Sequence, residues 1–209
     1  MDEAGTGAWV GPITVGVAAT PFICPFYYQE VKDSKQLSVD DREWLFNMMQ
    51  EGVAWAVGMA SQQEIDDLGQ ARAKRLCAQR ALRTLFYKYP YHPLQRFREV
   101  VIDGNNAWGL GDANDVHNAR WLGRLRPVVR ADDTVWEVSA ASVCAKVVRD
   151  RWMREVASDF SDYGFDSNVG YGTPEHAEAL ERLGPCVLHR RSVRPVRDWL
   201  AAHEDFTFC

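Results

Sequence analysis

A chain of 209 residues, 46% hydrophobic and 25% charged, can bury a substantial core and reads as one globular domain spanning residues 1–209. No apolar run approaches the roughly 18 residues of a membrane span, and no basic-then-apolar opening marks a secretory leader, so a cytoplasmic chain with no membrane contact is expected, with a monomer as the default state. The net charge of −5 excludes a uniformly basic surface but leaves room for a local one.

The chain opens on Met1-Asp2-Glu3-Ala4-Gly5-Thr6-Gly7, an acidic pair followed at once by a Gly-x-Gly turn. Carboxylates can hold divalent metal, and glycines let backbone come close to a bulky group. Ile13 to Ala19 alternates β-branched and small residues and predicts a strand ended by Pro21 and Pro25. Lys32 to Leu37 is a polar loop. Ser38 with Asp41 makes a variant capping box for a helix carrying Trp44, Leu45, Met48 and Met49 on one face and stopping at Gly52.

Val53 to Ala60 predicts a second strand, and Ser61-Gln62-Gln63-Glu64 a second capping box. Gly69 breaks that helix. Ala73, Leu76, Cys77, Ala81 and Leu85 then mark the buried stripe of another, ended by Tyr89-Pro90-Tyr91-His92-Pro93. Glu99 to Ile102 reads as a short strand halted by Asp103-Gly104-Asn105, and Pro127 to Ala131 as a strand ending at Asp132-Asp133. A long helix is predicted from about Thr134 to Phe160, with Ala140, Ala141, Ser142 and Ala145 small enough for close packing on a sheet. Gly170-Tyr171-Gly172 is a loop. Thr173-Pro174 opens a helix that Gly184-Pro185 ends, and a last helix begins near Pro195. Strands first, then strands alternating with helices, indicate an α/β fold with a mixed sheet.

Asp103 and Asp132 each stand where a β-rich run stops, the place where sites collect in α/β sheets. Together with Asp2 and Glu3 they would repel one another unless divalent cations neutralised them, and an all-oxygen donor set favours Mg²⁺ or Mn²⁺ over zinc. Taken singly, Asp103 also suits a turn and Asp132 a helix N-cap, with Asp133 competing for either role. Arg120, Arg124, Arg126 and Arg130 form one basic cluster, and His189, Arg190, Arg191, Arg194 and Arg197 another. Each is a candidate phosphate track or a solvated face. Five cysteines (Cys24, Cys77, Cys144, Cys186, Cys209), odd in number and without a CxxC pair, fit a reducing compartment rather than a disulfide or zinc framework.

Several tracts, in order and spacing, resemble the type 2 ribonuclease H family (RNase HII) almost end to end. They are Asp2-Glu3-Ala4-Gly5-x-Gly7, Asp33-Ser34-Lys35-x-Leu37-Ser38, Glu64-Ile65-Asp66, Ile102-Asp103-Gly104-Asn105, Ser139-Ala140-Ala141-Ser142 through Ala145-Lys146-Val147 to Arg149-Asp150, Gly170-Tyr171-Gly172-Thr173-Pro174-Glu175-His176, and His189-Arg190-Arg191-Ser192. The resemblance implies a ribonuclease-H-like mixed five-stranded sheet with flanking helices and a C-terminal helical part from about residue 160.

The resemblance also implies a two-metal site of Mg²⁺ or Mn²⁺ held by Asp2, Glu3, Asp103 and Asp132, preferring Asp132 to Asp133, with Asp150 as a structural residue. The activity it implies is endonucleolytic. The RNA strand of RNA–DNA hybrids is hydrolysed, and duplex DNA is cut 5′ to embedded ribonucleotides, leaving 5′-phosphates, in ribonucleotide and RNA-primer removal. Gly5, Thr6, Gly7, Tyr171, Lys146, Arg190 and Arg191 are the substrate-binding residues it suggests.

Departures are also present. Thr6 replaces the family's Arg, Asn168-Val169 replaces His-Lys, Gly69 replaces the usual Asn, and only Met1 precedes Asp2 where the family has an apolar strand segment. They leave open an alternative, a relative that binds the duplex and cuts poorly.

Overall fold

The computed structural model describes residues 1–20, 37–89, 99–111 and 124–207. Strands β1 (Asp2–Ala4), β2 (Ile13–Ala19) and β3 (Ala54–Ala60) form an antiparallel sheet in that order, and β4 (Val100–Asp103) pairs in parallel with β5 (Leu125–Val128). The expected five-stranded sheet is thus seen as a three-stranded and a two-stranded piece. Main-chain bonds through Met1 join them: its nitrogen donates to Val101 O at 2.7 Å, and Asp103 N donates to Met1 O at 3.0 Å. That junction sets the start of β1 beside the end of β4.

The helices are α1 (Val39–Met49), α2 (Gln62–Leu68), α3 (Gln70–Lys88), α4 (Ala131–Thr134), α5 (Trp136–Ala157), α6 (Phe165–Asn168), α7 (Pro174–Leu183) and α8 (Arg194–Ala202). Local chemistry starts them where the sequence predicts. Ser38 accepts from Asp41 N, and Ser61 and Glu64 complete a reciprocal capping box. Thr173 caps α7 ahead of Pro174.

Both faces of β2 are covered, which is why all seven of its residues are buried. Ile13, Val15, Val17 and Ala19 pack with Ala73, Cys77, Ala81, Leu82 and Leu85 of α3. On the other face, Thr14 Oγ1 donates to Ala145 O at 3.2 Å, and a Cβ on Gly16 would collide with Ala141 O. The small residues of α5 therefore lie against the sheet backbone, as expected. No described helix is long and apolar enough to cross a membrane.

Some boundaries differ from expectation. The strand expected at Pro127–Ala131 lies earlier, because pairing with β4 fixes its register from Leu125 to Val128. Val129 is 68% exposed, Arg130 turns left-handed at φ 56°, and Asp132 sits in the first turn of a helix rather than at a strand end. Helix α5 stops at Ala157, and a 3-10 segment, Ser158–Tyr163, continues with a kink at Phe160. Trp44 is 51% exposed, and Phe46 takes its expected place beside Leu45 and Met49. Pro21, Pro25, Asp33-Ser34-Lys35, Pro90 to Pro93, Arg120, Cys24 and Cys209 lie outside the described residues.

The C-terminal helical part is sewn onto the β1–β2 connection. Trp9 N donates to Gly170 O, Arg190 N to Trp9 O, and Gly11 N to Leu188 O, at 2.8–3.0 Å. Two buried arginines complete the join. Arg149 of α5 donates to Val10 O at 3.1 Å, Pro12 O at 3.0 Å and Val169 O at 2.9 Å. Arg190 donates to Gly11 O at 2.8 Å, Pro12 O at 3.0 Å and Thr6 O at 3.4 Å. Gly5, at φ +84°, passes so close that a Cβ there would strike the Arg149 side chain.

Removing Arg149 leaves buried carbonyls without donors, each worth about 1–3 kcal/mol. Arg149→Met is expected to lower the unfolding free energy by about 3 kcal/mol, read as a shift of the urea midpoint at unchanged m-value. A midpoint within error of the unsubstituted protein would show that the clamp contributes nothing.

Candidate active site

Strand β1 delivers two carboxylates side by side. Asp2 is 4% exposed. Its Oδ1 accepts from Glu3 N at 2.8 Å, while its Oδ2 is buried with no hydrogen-bond partner. Burial pushes the Asp2 carboxyl up to about 6, and the negative charges of Glu3 and Asp103 add to the rise. The Ser142 side chain of α5 and the Glu3 N–H oppose it. Glu3 Oε1 is 3.3 Å from Lys74 Nζ of α3.

Asp103 joins the other acids. Its N–H donates to Met1 O, next to Asp2, and its Oδ1 accepts from Ala131 N at 2.8 Å, next to Asp132. Asp132 is 6% exposed, whereas Asp133 is drawn to Arg130 at 2.7 Å. Of the two adjacent candidates, Asp132 is the one held in the interior. Among the described residues no three His, Cys, Asp or Glu side chains are set as a finished metal cage. The chemistry nonetheless suits a divalent cation. The donors are all carboxylate oxygens, one of them is buried and unpaired, and like charges gather around it.

Next to the acids, the glycine turn presents its backbone. Thr6 O is taken by Gln70 Nε2 at 2.7 Å and by Arg190, while Gly7 is exposed and has open space where a side chain would stand. Tyr171 is half-buried. Its ring lies 5.0 Å from the Arg149 guanidinium and 5.2 Å from Lys146 Nζ, which also pairs with Asp150 at 2.8 Å. Arg149, touching both Gly5 and Tyr171, thus brings the turn and Tyr171 together.

Of the two candidate phosphate tracks, only part is open to a ligand. Arg190 is 1% exposed and spends its guanidinium on backbone carbonyls, so it cannot face a phosphate. Burial, then repulsion from Arg149, brings its pKa down to about 9. His189 is buried as well. Arg191 is exposed; its N–H and that of Ser192 donate to Asp66, fastening this loop to α2. Arg194 and Arg197 both pair with Asp198, Arg126 pairs with Glu99, and Arg130 with Asp133. What the sequence reading missed is α3. Arg72, Lys74 and Arg75 border a cleft of about 930 Å³ that begins at Glu3 and Thr6. Their signal was three cations within four residues just after Gly69.

A second missed group fixes the backbone of Tyr171. Cys186 N–H donates to His189 Nδ1 at 2.9 Å, so the His189 proton is on Nε2. That proton faces His176 Nε2 at 3.2 Å, which leaves His176 Nδ1–H to donate to Tyr171 O at 2.9 Å. One set of tautomers satisfies every contact, with both rings neutral. Burial, and then the neighbouring His176, drives the pKa of His189 down to about 3; burial lowers that of His176 too.

The structure superposes on an RNase HII from Archaeoglobus fulgidus solved in complex with PCNA, with a TM-score of 0.71 at 23% identity over 95% of this chain and 94% of that one. It also superposes on Bst-RNase HIII in complex with Mn²⁺, with a TM-score of 0.67 at 20% identity over 98% of this chain and 69% of that one. The fold is therefore that of the type 2 ribonucleases H. The sequence model of ribonuclease HII matches residues 1–196. A ribonuclease HII of Streptomyces coelicolor is 38% identical over 213 aligned residues, covering 96% of this chain and 83% of that protein. The chain belongs to the ribonuclease HII family and is an endonuclease of the ribonuclease H type.

The two histidines carry a pH signature. Both are neutral when folded, and in the unfolded chain they take up protons below the ordinary value of 6.5. Their stabilising contribution is complete above that pH and is lost as pH falls toward about 3, where His189 titrates in the folded protein. Urea unfolding is expected to weaken between pH 6.5 and 4 by up to about 1.4 kcal/mol per pH unit from His189, with His176 adding in the same direction. The His176→Gln/His189→Gln variant is expected to show a shallower dependence, and an equal slope would remove this assignment.

Proposed function

We propose that this chain is a divalent-metal-dependent endoribonuclease that hydrolyses the RNA strand of RNA–DNA hybrids and incises duplex DNA 5′ to embedded ribonucleotides. The observation that carries the reading is the double attachment of Asp103, through its N–H to Met1 beside Asp2 and through its carboxylate to Ala131 beside Asp132. Those two bonds tie Asp103 to the backbone neighbours of Asp2 and of Asp132, which supports the reading.

Asp2, Glu3, Asp103 and Asp132 are the residues that would hold Mg²⁺ or Mn²⁺. Bound there, the cations supply Lewis acidity to the phosphodiester and neutralise charge at the departing 3′-oxygen. The chain's own residues do the rest. The unpaired Oδ2 of Asp2 offers a lone pair already stripped of solvent. The Ala131 N–H fixes the Asp103 carboxylate, and Lys74 steadies Glu3. The bare backbone of Gly7 permits close approach of a ribose, where contact with the 2′-hydroxyl separates RNA from DNA. Tyr171, its carbonyl tied to His176, offers a ring for the sugar on the neighbouring side.

Asp103→Asn tests the reading cleanly, because the amide oxygen can still accept from Ala131 N–H while the charge is gone. Turnover of a duplex carrying one ribonucleotide, with Mg²⁺ or Mn²⁺, is expected to fall by at least about 100-fold with the unfolding midpoint preserved. Full activity in that variant would refute the assigned site. Duplex binding without turnover in the unsubstituted protein would instead favour the weakly cutting relative, for which Thr6 and Val169 are the departures to restore first.

A further inference from the structure

We propose that the cleft between α3 and the segment following β4 is a subsite for the sugar–phosphate backbone of the bound duplex, gripped by Arg72 and Arg75. The proposal rests on the nuclease reading above, but it concerns binding and not cleavage.

The chain is net negative; of its basic clusters His189 and Arg190 are buried, Arg126, Arg130, Arg194 and Arg197 are paired with acids, and Arg124 and Arg191 are exposed. A protein of this kind needs cations that are still free to displace counterions from phosphates. The α3 cleft has them. Arg72 is exposed and has no acidic partner among the described residues. Arg75 makes one long contact, 3.5 Å to Gly109 O. Lys74 is held between the Glu3 carboxylate at 3.3 Å and the Trp108 ring, whose centroid is 4.7 Å away. Glu3 is the only acid lining the cleft as described.

Position and size agree with charge. The cleft runs from Glu3 and Thr6, so a backbone lying in it is continuous with the carboxylate cluster. At about 930 Å³ it is large enough for a nucleotide-sized stretch and far too large for a single ion. Trp108 is buried beneath Lys74, so it serves as a platform for the lysine rather than as a base-stacking surface. Cations without an open stacking face hold phosphates and ignore base identity.

The test is equilibrium binding of a fluorescent ribonucleotide-containing duplex across a salt series, in the full-length protein with Ca²⁺ in place of the catalytic metals. Arg72→Ala and Arg75→Ala are each expected to weaken binding about three- to tenfold and to lower the slope of log K against log salt by roughly 0.9. Arg75→Lys is expected to keep the slope. Arg83→Ala, an exposed cation further along α3 and outside the cleft, is the control for generic loss of charge. Slopes for Arg72→Ala and Arg75→Ala equal to that of Arg83→Ala would overturn the subsite. Because no turnover is needed, a protein that binds in this way but never cuts would sink the nuclease reading and leave the subsite standing.

Discussion

Two buried guanidiniums converge on one carbonyl oxygen, that of Pro12, and most of the site depends on them. Like charges so close, withdrawn from water, are costly unless their donors are well satisfied. Here the backbone of the β1–β2 connection satisfies them, with carbonyls from Thr6, Val10, Gly11 and Pro12. The guanidiniums come from two different elements, one from α5 and one from the segment before α8. Their shared acceptor fixes the glycine turn relative to both. Asp2 and Glu3 stand immediately before that turn, so the clamp also sets the carboxylates that open the chain.

Electrostatics are organised in the same way, by burial first and pairing second. Cations near the periphery are largely matched to acids: Arg80 to Glu64, Arg126 to Glu99, Arg151 to Glu43. Such exposed pairs add little stability individually but leave a muted surface. Against that background, the α3 ridge beside Glu3 stands out. The histidine pair follows a different rule. There, two groups able to ionise are kept neutral, and their protons are used only to orient a backbone carbonyl.

Much of this was legible in the sequence, for identifiable reasons. The capping residues Ser38 and Ser61, the alternation of Ile13 to Ala19, and the small residues of α5 express rules that act within a few residues. Asp103 at the end of an apolar run was legible too. Arg190 was misread because arginine is usually exposed, and nothing in a sequence displays backbone carbonyls as partners. The strand near Pro127 was placed too late because Val128 and Val129 are both β-branched. Register against β4 ended the strand between them, and the left-handed turn at Arg130 closed it. The α3 cations escaped notice because their meaning comes from Glu3 and Trp108, brought beside them only by the fold.

The bond from Ala131 N to the Asp103 carboxylate has one more consequence. It ties the first turn of the helix bearing Asp132 directly to Asp103. The pairing of β4 with β5 sets Val128 beside Asp103, and the Asp103 carboxylate carries that relation three residues further, to the start of the helix that bears Asp132.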